Sequence, residues 1–448
     1  MSKPTPLSGF PELLPAQRYA ELEMIQTLAS TFELHGFANL ETRAVEPMDQ
    51  LLRKGETSKE VYILKRLQDG GEGDSGMGLH FDLTVPFARY VLENAGKLEF
   101  PFRRYQIQKV WRGERPQQGR FREFTQADID VVGRDELPFH HDVEVARVMA
   151  EALAKLPIPR ARIQVSNRKV LEGFYLALGL ADPTEVMRVV DKLDKLPAEK
   201  VTELLRADAG VGAEDAAKVL ALAQISSPDR SFVDGVRALG ATHPLLEAGL
   251  DELAQVIEGC ADVEGVDVVV DLRIARGLDY YTGTVFETRL AGHEHLGSVC
   301  SGGRYDKLAS DGRTTYPGVG ISLGLSRLVV PLVADGLTAL RPVPSAVMVA
   351  LVDEEHRPVS TALANALRAN GVPCEVAASA QKFGKQIRYA ERRGIPYVLF
   401  PGVGGAADQI KDIRTGEQVA VDPATWIPPA ADLRPQVINR NSTEEKTK

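Results

Sequence analysis

Two strand-like runs joined by a long polar loop, within residues 103–130, constrain the fold more than any other feature. The text is RRYQIQKVWRGERPQQGRFREFTQADID, and its loop contains the flexible stretch PQQGR. A polar loop with Pro and Gly between two strand-like runs is typical of a hairpin. The segment therefore predicts a pair of antiparallel strands.

The rest of the first 160 residues fits the same fold class. Residues 15–36 carry apolar side chains at helical spacing and end at Gly36, which suits a C-terminal cap. Short strand-like runs follow, VYILKRL and LHFDL, and a helix is predicted from about Asp142 to Leu156. Antiparallel strands flanked by helices indicate an α+β fold.

The amino-acid composition and the predicted secondary structure change twice in the second half of the chain. Residues 175–259 are rich in Ala, Leu, Glu and Lys, which predicts a helical insert, and strands resume at VDVVVDL and TVFETRL before a helix near Leu325. After the linker ALRPVPSA, the runs VMVALV, PCEVAA and IPYVLF alternate with predicted helices over 356–370 and 381–393. This β-α-β-α-β series predicts a small, mostly parallel α/β domain. The tail after residue 428 is polar, and we expect it to be disordered.

Composition excludes several classes of protein. Net charge is −9, which argues against nucleic-acid binding over the whole surface, although residues 103–122 hold seven basic side chains against one acid, Glu114. The three cysteines are too few and too scattered for a disulfide framework. The first fifteen residues lack the pattern of a signal peptide, and no apolar run approaches the roughly 20 residues of a membrane span. We therefore expect a cytoplasmic protein with no membrane partner.

Common nucleotide and metal motifs are missing from the sequence. It has no GxxxxGK[ST] loop, its two dinucleotide-like glycine patterns lack a strand-turn-helix context, and His293-Glu294-His295 has the wrong spacing for zinc. We therefore predict no protein metal site of this kind.

The hairpin segment resembles motif 2 of the class II aminoacyl-tRNA synthetases, and RPQQGRFREF resembles the histidyl family in particular. Arginine suits phosphate oxygens, and an aromatic ring suits a base. The resemblance implies that Arg112 holds the α-phosphate and the amino-acid carboxylate, and that the loop meets the acceptor end of tRNA. It implies that ATP is contacted by Arg112, Glu114, Arg120 and Phe124. It also implies that tRNA is contacted by Arg115 and Gln117.

Two further segments, RGLDYYTGTVFE at 276–287 and SGGRYDKL at 301–308, resemble the histidine-specific motifs of the histidyl-tRNA synthetase family. The resemblance implies that Arg276 is catalytic and supplies positive charge at the α-phosphate, where other class II enzymes place a metal ion. Tyr280 and Tyr281 would line the histidine pocket. Gly302 and Gly303 would form its floor, where a side chain would block the imidazole.

The remaining catalytic motifs are shorter. GVGISLGLSRL at 318–328 resembles class II motif 3, which implies that Arg327 contacts the γ-phosphate of ATP, although Ser326 stands where many members have Glu. FDLTVPFARY resembles the segment that binds the substrate's α-amino group, here through Asp82 and Thr84.

The second strand of the hairpin supplies two more family positions of the histidine pocket, Gln126 and Asp130. A carboxylate is a natural partner for an imidazole N–H, so Asp130 is predicted to accept a hydrogen bond from the substrate side chain. Many bacterial members carry Glu at the positions of Asp82 and Asp130.

Two segments of the resemblance concern assembly and tRNA. NLETRAVEP matches motif 1 poorly because Arg43 stands where the family usually has proline, while Glu46 fits; motif 1 belongs to the interface of a homodimer. KFGKQIRYAERRGIPYVLF resembles the anticodon-binding domain, and its basic helix face implies tRNA contact by Lys382, Lys385 and Arg388.

The resemblance implies a class II fold and a two-step reaction. The fold has an antiparallel sheet flanked by helices, a helical insert and a C-terminal α/β anticodon-binding-like domain. The reaction converts L-histidine and ATP, with Mg²⁺ bridging the ATP phosphates, into histidyl-adenylate, and the histidyl group passes to the 3′-hydroxyl of tRNA(His). The alternative is a non-catalytic, synthetase-like regulatory subunit of ATP phosphoribosyltransferase. The resemblance implies a catalytic domain in two parts, 1–174 and 263–340, with the helical insert at 175–262 between them. The anticodon-binding domain follows at 341–428 and the tail at 429–448.

Overall fold

The computed structural model describes residues 5–52, 60–66, 76–275, 280–310 and 312–440. The chain forms two compact units. One contains residues 1–11 and 24–330, and the other contains residues 12–23 and 331–448. None of the helices in the described ranges combines the length and the apolar character that crossing a bilayer demands.

A mixed sheet of nine strands forms the centre of the larger unit. The strands of this unit are β1 (Ala38–Asn39), β2 (Val45–Pro47), β3 (Met77–Leu79), β4 (Phe102–Trp111), β5 (Glu123–Val132), β6 (Ala161–Asn167), β7 (Ser226–Ser227), β8 (Val266–Asp271), β9 (Thr284–Leu290), β10 (Cys300–Ser310) and β11 (Thr315–Gly324). The order across the sheet is β1-β4-β5-β11-β10-β9-β6-β8-β7, and β2 pairs with β3 in a separate ribbon. The six strands from β4 to β6 in this order are antiparallel throughout. The predicted hairpin is confirmed as β4 and β5.

Helices cover one face of this sheet and form the insert. The helices of the larger unit, including two that continue into the smaller one, are α1 (Pro15–Leu34), α2 (Met48–Leu51), α3 (Thr84–Asn94), α4 (His140–Ala154), α5 (Arg168–Ala177), α6 (Pro183–Val190), α7 (Ala198–Ala207), α8 (Ala213–Ala223), α9 (Phe232–Arg237), α10 (Pro244–Cys260) and α11 (Leu325–Ala334). Helices α4 and α10 pack against each other and against the sheet. Val145, Val148 and Met149 of α4 are fully buried, so this helix closes the apolar side of the sheet.

Caps explain where two of these helices begin. The side chain of Asn167 accepts a hydrogen bond from the backbone N–H of Lys169 at 2.8 Å and starts α5. The Asp182 side chain does the same for Glu185 at 3.0 Å and starts α6, with Pro183 in the first turn. The predicted helical insert is confirmed as α6 to α10, interrupted by the two-residue strand β7, which pairs with β8 at the sheet edge.

The smaller unit contains a five-stranded sheet with the order β14-β13-β15-β16-β17. Its elements are β12 (Leu337–Ala339), β13 (Val347–Val349), α12 (Arg357–Ala369), β14 (Cys374–Val376), α13 (Phe383–Arg392), β15 (Tyr397–Phe400), β16 (Gln409–Asp412), β17 (Gln418–Ala420), α14 (Ala430–Leu433) and β18 (Val437–Asn439). The β-α-β-α-β series is confirmed. The expectation of a mostly parallel sheet is wrong, because β15, β16 and β17 pair antiparallel.

Two other expectations about local structure are wrong. The run LHFDL is a strand only at Leu79, because α3 begins at Thr84 and the Asp82 carboxylate accepts a hydrogen bond from the N–H of Val85. The part of the expected disordered tail that the structure describes, residues 429–440, forms α14 and β18, and β18 pairs with β12; residues 441–448 lie outside the described residues. The pairing satisfies the backbone N–H and C=O groups of β18. The polar composition of the tail gave no reason to expect a strand there.

Candidate functional site

The chemically important face of the large sheet carries polar side chains and glycines where an ordinary sheet would carry apolar ones. Antiparallel register places Asp128 of β5 opposite Ser322 of β11, which lies opposite Ser301 of β10. Residues two apart on a strand share a face, so this face also holds Gln126, Asp130, Gly303, Gly320 and Gly324. A polar surface in the middle of a large sheet is the feature expected of a binding site.

A small cavity of about 20 Å³ lies on this face. Most of the residues that line it carry hydroxyl or carboxyl groups or are glycines: Thr84, Asp128, Asp130, Tyr280, Tyr281, Ser301, Gly302, Tyr305, Gly320, Ile321 and Ser322. The structure thus brings Thr84, Asp130, Tyr280 and Tyr281 together, as the resemblance implies for a histidine pocket. Arg276, the predicted catalytic arginine, lies outside the described residues.

A buried ion pair and a hydrogen bond hold Asp130. Its Oδ2 lies 2.7 Å from Nη2 of Arg104, and its Oδ1 accepts a hydrogen bond of 2.7 Å from the hydroxyl of Tyr305. Arg104 is fully buried and also stacks over the ring of Phe87 at 4.4 Å. The sequence prediction missed both Arg104 and Tyr305. Strand alternation along β4, which puts Arg104 opposite Asp130, is the signal that identifies the arginine.

Asp128 is a second buried carboxyl in the same cavity, and it too was missed. Burial raises its pKa to about 7, and the nearby Asp130 carboxylate adds to this, while Arg104 opposes it. Asp128 lies between the predicted residues Gln126 and Asp130 on the same face of β5, so alternation along that strand was a sufficient signal.

The glycines of β10 and β11 make room for these side chains. A Cβ atom on Gly320 would lie 2.0 Å from Oδ1 of Asp130, and one on Gly303 would lie 2.9 Å from the ring of Tyr281. The floor prediction therefore needs a correction at Gly303, where the tyrosine ring covers the glycine. A Cβ on Gly302 would meet the backbone oxygen of Gly320 at 2.1 Å.

The tyrosine pair is anchored from two directions. The ring centroids of Tyr280 and Tyr281 lie 4.1 Å apart, and Arg168 donates a hydrogen bond of 3.0 Å to the carbonyl oxygen of Tyr281. Burial, assisted by the Tyr280 hydroxyl, raises the pKa of Tyr281 well above its usual value. Tyr281 is therefore a neutral phenol at physiological pH and can donate or accept a hydrogen bond.

A larger cavity of about 230 Å³ adjoins the small one, and Ser301 and Ser322 line both. The larger cavity is lined by Arg112, Glu114, Gly119, Arg120, Phe121, Phe124, Gln126, Ser298, Val299, Ser301, Ser322, Gly324 and Arg327. All of the residues predicted to bind ATP are in this set. Gln126, predicted for the histidine pocket, lines this cavity and hydrogen-bonds Ser322 at the junction.

Arg112 is positioned by the backbone and by an aromatic ring. Its Nε donates a hydrogen bond of 3.0 Å to the carbonyl oxygen of Phe81, and its guanidinium lies 5.1 Å from the ring centre of Phe124. Glu114 lies 3.5 Å from Arg120 and 3.9 Å from Arg112. With Arg327, the lining of this cavity contains three arginines and one carboxylate, Glu114. The resulting positive charge suits a polyphosphate.

Arg327 is held by a backbone group, although many family members have Glu at position 326, where this chain has Ser. Its Nη1 donates a hydrogen bond to the carbonyl oxygen of Ser298. The Ser326 hydroxyl instead accepts a hydrogen bond of 2.9 Å from the backbone N–H of Thr125, so it joins the start of α11 to β5. The substitution at 326 therefore leaves Arg327 fixed by a backbone group.

Asp82 and Thr84 lie at the start of α3. Thr84 lines the small cavity, whereas Asp82 is buried and its Oδ1 accepts a hydrogen bond of 3.0 Å from the N–H of Val85. Asp82 acts on the cavity through its charge, which contributes to the raised pKa of Asp128.

The residues predicted to bind tRNA lie on two exposed surfaces. Arg115 and Gln117 are exposed in the loop between β4 and β5, where Gln117 and Arg120 close a turn. In the smaller unit, Lys385 and Arg388 line a cavity of about 500 Å³. Lys382 is exposed but lies just before α13 and does not line that cavity.

The described residues contain no group of three or more His, Cys, Asp or Glu side chains arranged to hold a metal ion. The acid among the described residues that line the larger cavity is Glu114. This donor set suits a cation bound mainly by the phosphates of a nucleotide rather than by protein ligands.

Comparison with known proteins agrees with the site. Residues 9–328 match the family model described as histidyl-tRNA synthetase, and residues 346–427 match the anticodon binding domain. Proteins named histidine–tRNA ligase from Cutibacterium acnes and Micrococcus luteus are 57% and 56% identical, each alignment covering 98% of this chain and 99% of the relative. The crystal structure of histidyl-tRNA synthetase from Nostoc sp. PCC 7120 is 34% identical, covers 94% of this chain and 97% of its own, and has a TM-score of 0.83. The chain therefore belongs to the histidyl-tRNA synthetase family.

Proposed function

We propose that this protein activates L-histidine with ATP and transfers the histidyl group to the 3′-hydroxyl of the terminal adenosine of tRNA(His). The observation that carries the proposal is the pair of adjoining cavities that share Ser301 and Ser322. One is lined by carboxyl and phenol groups that suit an amino acid with an imidazole, and the other by three arginines and Phe124 that suit ATP.

The reacting atoms are proposed to meet at the wall that the two cavities share. The histidine carboxylate attacks the α-phosphorus of ATP, pyrophosphate leaves, and the adenylate forms. The tRNA hydroxyl then attacks the carbonyl carbon, and AMP leaves. Because no covalent enzyme intermediate is needed, catalysis consists of alignment and charge neutralisation, with Arg112 at the α-phosphate and Arg120 and Arg327 at the outer phosphates.

Arg276 remains proposed as the second cation at the α-phosphate. Mg²⁺ bound together with ATP would supply further charge neutralisation, and Glu114 is the carboxylate of the larger cavity that would help to hold it. Tyr280, Tyr281, Gln126 and Thr84 remain proposed contacts of histidine, Asp130 the proposed acceptor for its imidazole N–H, and Asp82 the proposed acceptor for its ammonium group. Phe124 remains the proposed stacking surface for adenine.

Transfer RNA is proposed to contact both units. Arg115 and Gln117 would meet the acceptor end, because they are exposed on the loop that borders the larger cavity. Lys382, Lys385 and Arg388 would meet the anticodon region by phosphate contacts. The protein is proposed to work in the cytoplasm, where tRNA is charged.

We further propose a homodimer that uses the motif 1 region. There the buried carboxylate of Glu46 lies 2.6 Å from Nη2 of Arg89 and 3.3 Å from Nη2 of Arg43, so the charge of Arg43 is accommodated. The side chains of Leu52, Ile63 and Met77 are 42, 57 and 43% exposed in the same region. An exposed apolar group of this kind suits contact with a second copy.

The decisive experiment is histidine-dependent exchange between pyrophosphate and ATP without tRNA, with other amino acids as controls. Exchange with histidine alone is expected. A folded protein that gives no exchange would instead favour the regulatory subunit of ATP phosphoribosyltransferase. The retention of Arg112 and Arg327 around the larger cavity, and of the anticodon-binding unit, favours the enzyme.

A further inference from the structure

A further cavity, here called the insert cavity, lies where the helical insert meets the end of β8. Helices α7 and α8 and the end of β8 contribute to its walls, and its volume is about 450 Å³. Cavities of roughly 300–1,000 Å³ are typical of small-molecule sites. Among the described residues, its lining has none in common with the two cavities assigned to histidine and ATP. The proposed reaction therefore leaves this cavity without a ligand.

Part of the wall of the insert cavity is apolar. Leu193, Leu196 and Leu220 line it and are half-buried, while Ala223 is buried beside them. These three leucines thus offer apolar surface that the protein itself does not cover. An aliphatic group placed against them would remove that surface from water, which favours binding.

The lining also contains a pair of opposite charges. Nη2 of Arg273 lies 3.4 Å from Oδ2 of Asp271, and Oδ1 of Asp271 accepts a hydrogen bond of 3.2 Å from the backbone N–H of Arg273. The Asp271 side chain is 6% exposed, whereas that of Arg273 is 48% exposed. The guanidinium therefore has open space for a second anion, and its fork of donors suits a carboxylate.

A buried amide beside Asp271 has an acceptor that lacks a donor. Gln164 of β6 is 8% exposed and donates a hydrogen bond to Oδ2 of Asp271. Its own Oε1 has no hydrogen-bond partner among the described residues. Asp271 receives three donors, and a carboxylate has about four acceptor sites, so it can accept one more. A buried acceptor without a partner is costly unless a bound molecule supplies the donor.

We propose that the insert cavity binds a free aliphatic amino acid of about the size of leucine. Its carboxylate pairs with Arg273, its ammonium group donates to Asp271, and its side chain covers the leucines of the wall. An anion alone would lie close to the Asp271 carboxylate, and a cation alone close to the Arg273 guanidinium, so each would meet a like charge. A zwitterion carries both charges on neighbouring groups and matches the pair.

The test is isothermal titration of the full-length protein with L-leucine and three partial analogues. 4-Methylpentanoate lacks the ammonium group, 3-methylbutylamine lacks the carboxylate, and glycine lacks the aliphatic side chain. We expect L-leucine to bind with a Kd of about 1 mM or lower, a modest affinity for so small a ligand. Each analogue should bind at least about tenfold more weakly, because it loses one of the three contacts.

Two substitutions show whether leucine binds in this cavity. Arg273→Ala removes the partner of the carboxylate and Leu220→Trp fills the apolar part, so each should weaken binding at least about tenfold. Arg230→Ala is the control for the first, because Arg230 forms an exposed ion pair with Glu258 in the insert and does not line the cavity. Leu176→Trp is the control for the second, because Leu176 is 39% exposed on α5, outside the cavity lining. Both controls should keep the parental affinity.

Circular dichroism melting establishes that each variant is folded. A folded parent that does not bind L-leucine, or a folded Arg273→Ala protein that binds it as tightly as the parent, would overturn the inference. Equal binding of leucine and either singly charged analogue would overturn the zwitterion assignment on which it depends. Pyrophosphate exchange with histidine is independent of these titrations, so its failure would count against the proposed function alone.

Discussion

Arg104 and Asp130 form an ion pair of 2.7 Å at the centre of the sheet, with Arg104 fully buried. The two residues lie directly opposite each other on β4 and β5. Arg104 also lies 4.0 Å from Asp128, so a single guanidinium serves two buried carboxyls. Among the described residues, Arg104 is thus the cation recorded beside both carboxyls of the small cavity, and no family motif identified it.

Replacing Arg104 should destabilise the protein strongly. We expect Arg104→Leu to lower the free energy of unfolding by about 3–5 kcal/mol, because it leaves buried carboxyls uncompensated, and to weaken histidine binding. The neighbouring Arg103 points to the opposite face and pairs with Glu144 at 3.0 Å in a partly exposed position. Arg103→Leu should therefore cost only about 1 kcal/mol or less. Urea denaturation measures both, and equal losses would contradict the central role of Arg104.

The raised pKa of Asp128 predicts a dependence of stability on pH. The folded state binds this proton up to about pH 7, whereas the ordinary pKa of the carboxyl in the unfolded chain is 3.8. Folding is therefore penalised increasingly as pH rises between these values. Asp128→Asn removes the penalty. Its free energy of unfolding should exceed that of the parent by a margin on the order of 3–4 kcal/mol at pH 8, and the margin should shrink to about 1 kcal/mol at pH 4.5.

Denaturant titrations at the two pH values test this, with Glu264→Gln as the control because that carboxylate is exposed. The control should change stability by less than about 0.5 kcal/mol at either pH. A stability difference between Asp128→Asn and the parent that is the same at both pH values would rule out the titration of Asp128 as its cause.

Gly320 should not tolerate a side chain. A Cβ there would lie 2.0 Å from Oδ1 of Asp130 and 2.7 Å from the backbone oxygen of Ile129, so Gly320→Ala must displace the carboxylate or the strand. We expect a loss of about 1–3 kcal/mol in stability and a raised KM for histidine. Gly96→Ala meets nothing within 4 Å and should behave like the parent in melting and in exchange kinetics.

Arg112 should resist conservative replacement. Lysine cannot both donate to the carbonyl oxygen of Phe81 and present a planar cation to Phe124 and a phosphate. Arg112→Lys should lower the rate of pyrophosphate exchange by about 10²–10³-fold, since one charge-assisted contact to the transition state is lost. Arg162→Lys, at an exposed position on β6, should leave the rate unchanged. Exchange by Arg112→Lys within about threefold of the parent would remove Arg112 from the catalytic role.

The basic helix α13 should affect tRNA charging without affecting adenylate formation. Lys385→Ala with Arg388→Ala should raise KM for tRNA and weaken its dependence on salt, because phosphate contacts are lost. Arg434→Ala removes an exposed cation elsewhere in the smaller unit and should change neither quantity. Aminoacylation at two salt concentrations measures the effect, and a parallel loss of pyrophosphate exchange would show that the variant acts on the catalytic unit instead.

The sequence by itself determined the fold class, the hairpin, the helical insert, the alternation of the C-terminal unit and the family. These depend on local periodicity, on turn residues and on motif text that is contiguous in the chain. The residues predicted to bind ATP at Arg112, Glu114, Arg120, Phe124 and Arg327 converge on one cavity for the same reason. Their roles stay predictions, as does that of Arg276.

Only the tertiary structure decided which side chains serve each other across strands. Tyr305 reaches Asp130 from a strand 175 residues away in the sequence, and the register of β5 with β11 places Asp128 opposite Ser322. Which of Asp128 and Asp130 pairs closely with Arg104 depends on these long-range pairings and on burial in the assembled sheet. No local pattern contains that information, because desolvation and cross-strand contact arise only when distant segments meet.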